Sequence, residues 1–168
     1  ASSRSKKTSH IYTTTGENST SDSPYDLSGK NVTLFANEKK DFITGGSGHD
    51  VVYGMGGKDR IDLGNGNDKV WTGTGRSEVT GGKGNDVIHF RKDYVDEDKF
   101  TFTKLLDWGK KDGLAFNGYF PNDITVKGAN GGKNSVLYMD DERVAKFMGL
   151  EPSSLQDLVD TAHYSVYM

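Results

Sequence analysis

Gly45–His89 reads GGSGHDVVY, GMGGKDRID, LGNGNDKVW, TGTGRSEVT and GGKGNDVIH when broken every nine residues. The eighth place of each unit is a bulky aliphatic: Val52, Ile61, Val70, Val79 and Ile88. The sixth place is Asp50, Asp59, Asp68, Ser77 and Asp86. Glycine holds the second and fourth places throughout, except where Met55 stands. A weaker unit, ANEKKDFIT at 36–44, precedes these in register and supplies Asp41 and Ile43. A fixed period of this kind decides the architecture, because one such unit cannot bury its apolar face alone and must stack on its neighbours. A six-residue glycine-rich stretch suits a tight loop, and the remaining three residues suit a short strand.

The same pattern points to a ligand. Glycine permits positive φ and close backbone approach, so the loops can turn their carbonyl oxygens toward a common point. One aspartate per loop then adds charge. Strands stack about 4.8 Å apart, and carboxylates held that close repel one another. A hard cation relieves this. Calcium accepts about 6–8 oxygen ligands in flexible geometry, whereas magnesium dehydrates reluctantly and demands a tighter octahedron. Zinc is disfavoured, since the chain has no cysteine and only four scattered histidines. Ca2+ is the expected cofactor.

These units resemble the repeats-in-toxin (RTX) nonapeptide G-G-x-G-x-D-x-U-x, a calcium-binding signature; the first and fifth match it fully. The resemblance implies an all-β fold, a right-handed parallel β-roll (a β-solenoid), in which two nonapeptides make one coil. One ion would then lie between the loops of units two apart. Carried over by position, Gly45, Ser47 and Asp50 would face Gly64, Gly66 and Asp68. Leu63, Asn65 and Asp68 would face Gly82, Gly84 and Asp86. On the opposite side Gly54, Gly56 and Asp59 would face Gly73, Gly75 and Ser77, and Asp41 with Asp59 could form one more site. All but the aspartates and Ser77 would contribute backbone carbonyls. Ser77 replaces a carboxylate with a hydroxyl, so its site should be weak. The resemblance further implies export in an unfolded state and folding where calcium is plentiful.

Working outward, residues 1–26 are polar and Ser/Thr-rich, which predicts an arm with no fold of its own. Leu27–Phe35 predicts a lead strand. The roll is expected over 27–95 and a β-rich cap with a short helix over 96–168. Within that cap the pattern predicts strands at Phe100–Trp108, Gly113–Phe116 and Ile124–Lys127, and a hairpin pairing Asn134–Met139 with Arg143–Met148. A helix is expected at Glu151–Val159, with Ser153 as N-cap and Gln156 completing a capping box. His163–Met168 reads as an edge strand.

The 168 residues carry 21 basic and 24 acidic side chains, a net charge of −3 that argues against a dedicated nucleic-acid binder. No apolar run is long enough for a transmembrane helix. Opening on Ala1 is what a processed product or excised fragment would do. His49 and His89 fall at different phases of the repeat and are not expected to share a site. No Gly-x-Ser-x-Gly elbow or His-Glu-x-x-His pair is present, and no enzymatic activity is expected. Asp93, Asp96, Glu97 and Asp98 read as a solvated turn, as do Asp140, Asp141 and Glu142. Tyr53 and Trp71, both ninth-place residues two units apart, are expected on opposite sheet faces, and Trp108 in the core of the cap. The ninth places (Thr44, Tyr53, Asp62, Trp71, Thr80, His89) form no regular ice-binding array.

Three functions compete at this stage. The first is a secreted, extracellular or cell-surface structural module that folds on calcium and assembles with copies of itself, a homo-oligomer or polymer joined through the polar arm by strand addition. The second is a C-terminal export and stability module of a larger secreted RTX enzyme or adhesin. The third, a lectin or small enzyme with its site between Trp108 and Tyr138, lacks any supporting spacing.

Overall fold

A computed structural model describes residues 10–13, 24–27, 31–92 and 101–165. In chain order these form β1 (His10–Thr13), β2 (Tyr25–Asp26), β3 (Val32–Phe35), β4 (Phe42–Thr44), β5 (Val51–Tyr53), β6 (Arg60–Asp62), β7 (Lys69–Trp71), β8 (Arg76–Thr80) and β9 (Val87–Arg91). Then follow β10 (Phe102–Leu105), β11 (Gly113–Asn117), β12 (Ile124–Ala129), β13 (Asn134–Met139), β14 (Glu142–Phe147), helix α1 (Pro152–Asp160) and β15 (His163–Ser165). Among the described residues the strands make two sheets. One is seven-stranded, in the order β1-β3-β5-β7-β9-β11-β15; the other is eight-stranded, in the order β12-β13-β14-β10-β8-β6-β4-β2.

Odd-numbered and even-numbered strands thus alternate between the sheets through the repeat. Each pairs in parallel with the strand two units on, for example Val52 with Val70 and Ile61 with Val79. The chain is an all-β parallel roll. Its interior is one apolar row per sheet: Leu34, Val52, Val70, Ile88 and Leu114 against Ile43, Ile61, Val79 and Leu105, the second row ending on the aromatic Phe147, all buried. The neighbours of each eighth place point outward, as strand alternation requires.

The sheets do not stop where the glycine-rich units end. Leu105 pairs with Val79 and Leu114 with Ile88, so both occupy eighth places. Residues 101–106 and 107–115 therefore continue the nonapeptide pattern, with Leu105 and Leu114 nine residues apart in a new phase. They read as independent strands in the sequence because they have lost most of the glycines. Beyond them β14 pairs in parallel with β10, the meander β12-β13-β14 closes one sheet, and β15 closes the other beside β11. Helix α1 buries Leu155, Leu158 and Val159 and packs against β11, β12 and β13.

Several expectations need correction. Tyr53 and Trp71 lie on one face, not opposite faces. Two units make one coil, so ninth places two units apart become adjacent rungs of the same sheet. Phe35, Tyr53, Trp71 and His89 stack in sequence there, with ring centroids 4.7, 4.7 and 3.8 Å apart. Helix α1 starts at Pro152 with Glu151 as N-cap and no side-chain cap bond, so Ser153 and Gln156 form no capping box. Proline suits the first helical position because its missing N–H would be unpaired there anyway. Gln156 bonds Asp160 instead. The lead strand is shorter than expected, Val32–Phe35. Within the polar arm, His10–Thr13 pairs in register with Val32–Phe35 of its own chain. The acidic residues 93–98 lie outside the described residues.

The rows dictate stability in a way that can be measured. Ile88→Ala removes a fully buried rung and should cost about 2–5 kcal/mol, read by denaturant unfolding in saturating calcium; a loss under half that range would mean the rows do not hold the roll. Met55 takes the second loop place at φ 67°, where a Cβ is strained by about 1–2 kcal/mol. Met55→Gly should therefore raise the unfolding midpoint, partly offset by the freer unfolded chain.

Candidate metal centre

The loops on each flank of the roll stack directly on one another. On one flank lie 45–50, 63–68 and 81–86; on the other lie 36–41, 54–59 and 72–77. Asn65 N–H donates to the Gly46 carbonyl at 2.7 Å, Lys83 N–H to Gly64 at 3.1 Å, and Thr74 N–H to Met55 at 3.0 Å. This closeness explains the fourth-place glycines. Gly66 has φ +122°, and a Cβ there would stand 2.1 Å from the Gly48 carbonyl oxygen. The structure therefore brings Gly45, Gly64, Gly66, Gly82 and Gly84 onto one flank and Gly54, Gly56, Gly73 and Gly75 onto the other, each against the loop two units away. Ser47 and Asn65 are exposed, and Leu63 is buried on the roll's inner side.

The aspartates run down each flank as a hydrogen-bonded ladder. Val32 N–H donates to Asp50 Oδ1 at 2.9 Å, Asp50 N–H to Asp68 Oδ1 at 2.7 Å, Asp68 N–H to Asp86 Oδ1 at 3.0 Å and Asp86 N–H to Asp112 Oδ1 at 3.0 Å. On the other flank Asp41 N–H donates to Asp59 Oδ1 at 2.9 Å. Oδ1 of Asp50, Asp59, Asp68, Asp86 and Asp112 thus holds the backbone of the coil before it. The second oxygen is different. Oδ2 of Asp50, Asp59, Asp68 and Asp86 is buried and has no hydrogen-bond partner, and these residues are at most 2% exposed. A buried carboxylate oxygen without a donor is costly unless a proton or a cation sits against it. The donor set of carboxylates and loop carbonyls is all oxygen, which suits calcium.

Three acidic residues join this arrangement without having been singled out from the sequence. Asp112 ends the first ladder, and its Oδ2 accepts from Gly109 N–H at 2.8 Å. Asp107 accepts from Gly81 and Gly82 N–H at 2.7 and 2.9 Å and so caps the last glycine-rich loop. They are the first and sixth places of the unit DWGKKDGLA, and the nine-residue step from Leu105 to Leu114 was the signal that could have found them. Glu38, third place of the weak first unit, projects over Gly56, where a Cβ would meet its Oε2 at 2.2 Å. Asp41 Oδ2 accepts from Asn37 N–H at 3.2 Å, so its loop closes on itself.

Other candidate residues have structural positions. His49 Nδ1 accepts from Asn67 N–H at 2.8 Å, within an outer ladder that continues from Asn31 to Asn85. His89 stacks on Trp71, and burial pulls its imidazole down to about 4. Trp108 is buried and donates its indole N–H to the Gly113 carbonyl. Tyr138 sits on β13 beneath Lys127, 4.6 Å from ring centre to Nζ.

Burial pushes the ladder carboxyls upward: Asp59 to about 8, Asp68 to about 7, Asp86 to about 6, and Asp50 and Asp112 in the same direction. Backbone donation pulls each back. At Asp59, Asp68 and Asp86 the neighbouring carboxylates push again. An unfolded aspartate titrates near 3.9. Between about pH 4 and 8 the metal-free fold therefore holds more protons than the unfolded chain, and its stability falls as pH rises. Calcium must displace those protons, so its affinity should rise across the same window. Calorimetric titration near pH 7 in two buffers of different ionisation enthalpy should show net proton release. Binding with no proton release would contradict the buried carboxyls described here.

Residues 35–70 and 62–92 match the family model of the RTX calcium-binding nonapeptide repeat (4 copies). No curated protein matches the chain significantly. Among solved structures, the chain is similar to the solution structure of the AlgE6R3 subunit from the Azotobacter vinelandii mannuronan C5-epimerase. The two are 20% identical, the match covers 78% of this chain and 74% of that one, and the TM-score is 0.29. Residues 35–92 thus match RTX calcium-binding nonapeptide repeats, and their strands lie in the two parallel sheets of the roll.

Proposed function

We propose that the chain is an exported structural module that folds when it meets calcium outside the cell and assembles with copies of itself. The observation that carries the calcium-coupled part is the set of four buried, unpartnered aspartate oxygens. Bound calcium would supply positive charge where these carboxylates otherwise need protons. Asp68 is central, because it is shared by two sites: Gly45, Ser47 and Asp50 with Gly64, Gly66 and Asp68, then Leu63, Asn65 and Asp68 with Gly82, Gly84 and Asp86. The third site, Gly54, Gly56 and Asp59 with Gly73, Gly75 and Ser77, has a single carboxylate and is the weakest.

The chain's own residues divide the work. Each Oδ1 fixes the spacing of successive coils through the backbone amide of the coil before it. The fourth-place glycines let the loops close to contact distance. The thin aliphatic rows exclude water but are too narrow to hold a roll whose flanks repel. Folding and ion binding are therefore one event, which suits a protein kept unfolded where calcium is scarce. Self-assembly rests on β1. It covers the edge of β3 through four paired residues, and a second copy could supply that strand in exchange.

Circular dichroism with light scattering during a calcium titration tests this reading. A calcium-specific gain of β signal, absent with magnesium, is expected, with scattering that rises alongside it and is lost on deleting residues 1–26. A β signal that ignores calcium and chelator alike would end the calcium-coupled reading; scattering that stays flat would end self-assembly alone. Asp68→Asn keeps an acceptor for the Asp50 amide and should weaken calcium binding at both sites on its flank. Ser77→Asp should add bound calcium, counted by metal analysis of the desalted protein.

A further inference from the structure

The outward face of the eight-stranded sheet carries a charge pattern that calcium does not explain. On this side the fifth places of successive coils are Lys40, Lys58 and Arg76. The seventh places are Phe42, Arg60, Glu78 and Lys104, adjacent rung by rung. The five basic residues line a groove of about 490 Å3. Glu78 and the buried Asp59 are the acids in its wall. A chain of net charge −3 has therefore concentrated positive charge on one strip, and such a strip focuses its field on an anionic partner. The ion pair of Arg60 with Glu78, at 3.4 Å, joins an exposed arginine to a partly buried glutamate and offsets one of the five positive charges.

A second hollow of about 350 Å3 adjoins the first, and the two share Phe42, Arg60 and Glu78. Its far wall adds Thr44, Asp62 and Thr80, ninth places on consecutive coils. The face thus presents a row of cations beside a row of hydroxyl and carboxylate groups, both repeating at the coil spacing of about 4.8 Å.

We infer that this face binds a linear acidic polysaccharide, its carboxylates on the lysines and arginines and its hydroxyls on Thr44, Asp62 and Thr80. Single-stranded nucleic acid fits less well. It needs aromatic faces on which bases stack, and here the faces are taken. Lys40 Nζ lies 5.0 Å over the Phe42 ring, and the Arg143 guanidinium lies 4.8 Å over Phe102. A regular polymer with repeated charges matches a regular ladder of cations better than a compact ligand does. The inference goes beyond the structural role and rests on that reading only in needing the roll folded by calcium.

The test is calorimetric titration of the calcium-saturated chain with an oligogalacturonate, with circular dichroism recorded on the same samples. Binding that weakens with added salt is expected. Lys58→Gln with Lys104→Gln should weaken it about tenfold, while Lys69→Gln, on the other sheet, should leave it unchanged. All three proteins should keep the same β signal. No binding with that signal intact would overturn the inference. So would an equal loss in Lys69→Gln, or equally tight binding of poly(dT) with the same response to the variants. Loss of the β signal in saturating calcium would instead remove the calcium reading, and the folded groove with it.

Discussion

Asp50, Asp59, Asp68 and Asp86 each do two jobs with their two oxygens, and the roll depends on both. One oxygen accepts the backbone N–H of the coil before it, which sets coil spacing and register. The other is buried without a donor. The first job cannot be done by a shorter or apolar side chain, and it forces the second, because the carboxylate must enter the loop stack to reach the amide. An isolated buried charge is expensive, so the geometry that aligns the coils also creates the demand for a cation.

The two flanks differ in how fully they realise this arrangement. The flank of Asp50, Asp68 and Asp86 carries a carboxylate on each coil and is closed at its end by Asp107 and Asp112, whose oxygens are taken up by backbone amides. The opposite flank starts at Asp41, whose second oxygen accepts within its own loop, and passes through Ser77, which has no carboxylate. Among the described residues of that flank, Asp59 alone has a buried carboxylate oxygen without a hydrogen-bond partner. Glu38 above Gly56 brings further negative charge to that flank and helps raise the Asp59 carboxyl. The asymmetry leaves the eight-stranded side with its own outer chemistry, where the fifth places are lysine and arginine. On the seven-stranded side the fifth places Asn31, His49, Asn67 and Asn85 form a hydrogen-bonded ladder.

Much of this was legible in the sequence because the constraint is local and repeated. A glycine at the second and fourth places, an aspartate at the sixth and an aliphatic at the eighth each answer a requirement that recurs on every coil. The eighth-place residues Val52, Ile61, Val70, Val79 and Ile88 are all buried, and so are all four ladder aspartates read from the strict units. The stacked ring row departs from the expectation that Tyr53 and Trp71 lie on opposite faces, because one coil contains two units and the two rings share a face. The helix starts at Pro152, before the expected Ser153 cap, because proline suits the first helical position and needs no capping serine.

The sequence by itself determined the periodic roll, the position of each inward aliphatic and the oxygen-only character of the loops, since period and side-chain chemistry suffice for these. Only the tertiary structure decided that residues 101–115 continue the same sheets, that Asp107, Asp112 and Glu38 join the flanks, and that the second oxygens of Asp50, Asp59, Asp68 and Asp86 have no donor. The reason is physical. Once residues 90–97 break the phase and the glycines are lost, no local signal ties Leu105 to Val79 or Leu114 to Ile88. Their pairing is set by which exposed strand edge and aliphatic row they can cover, and that is a contact between residues far apart in the chain.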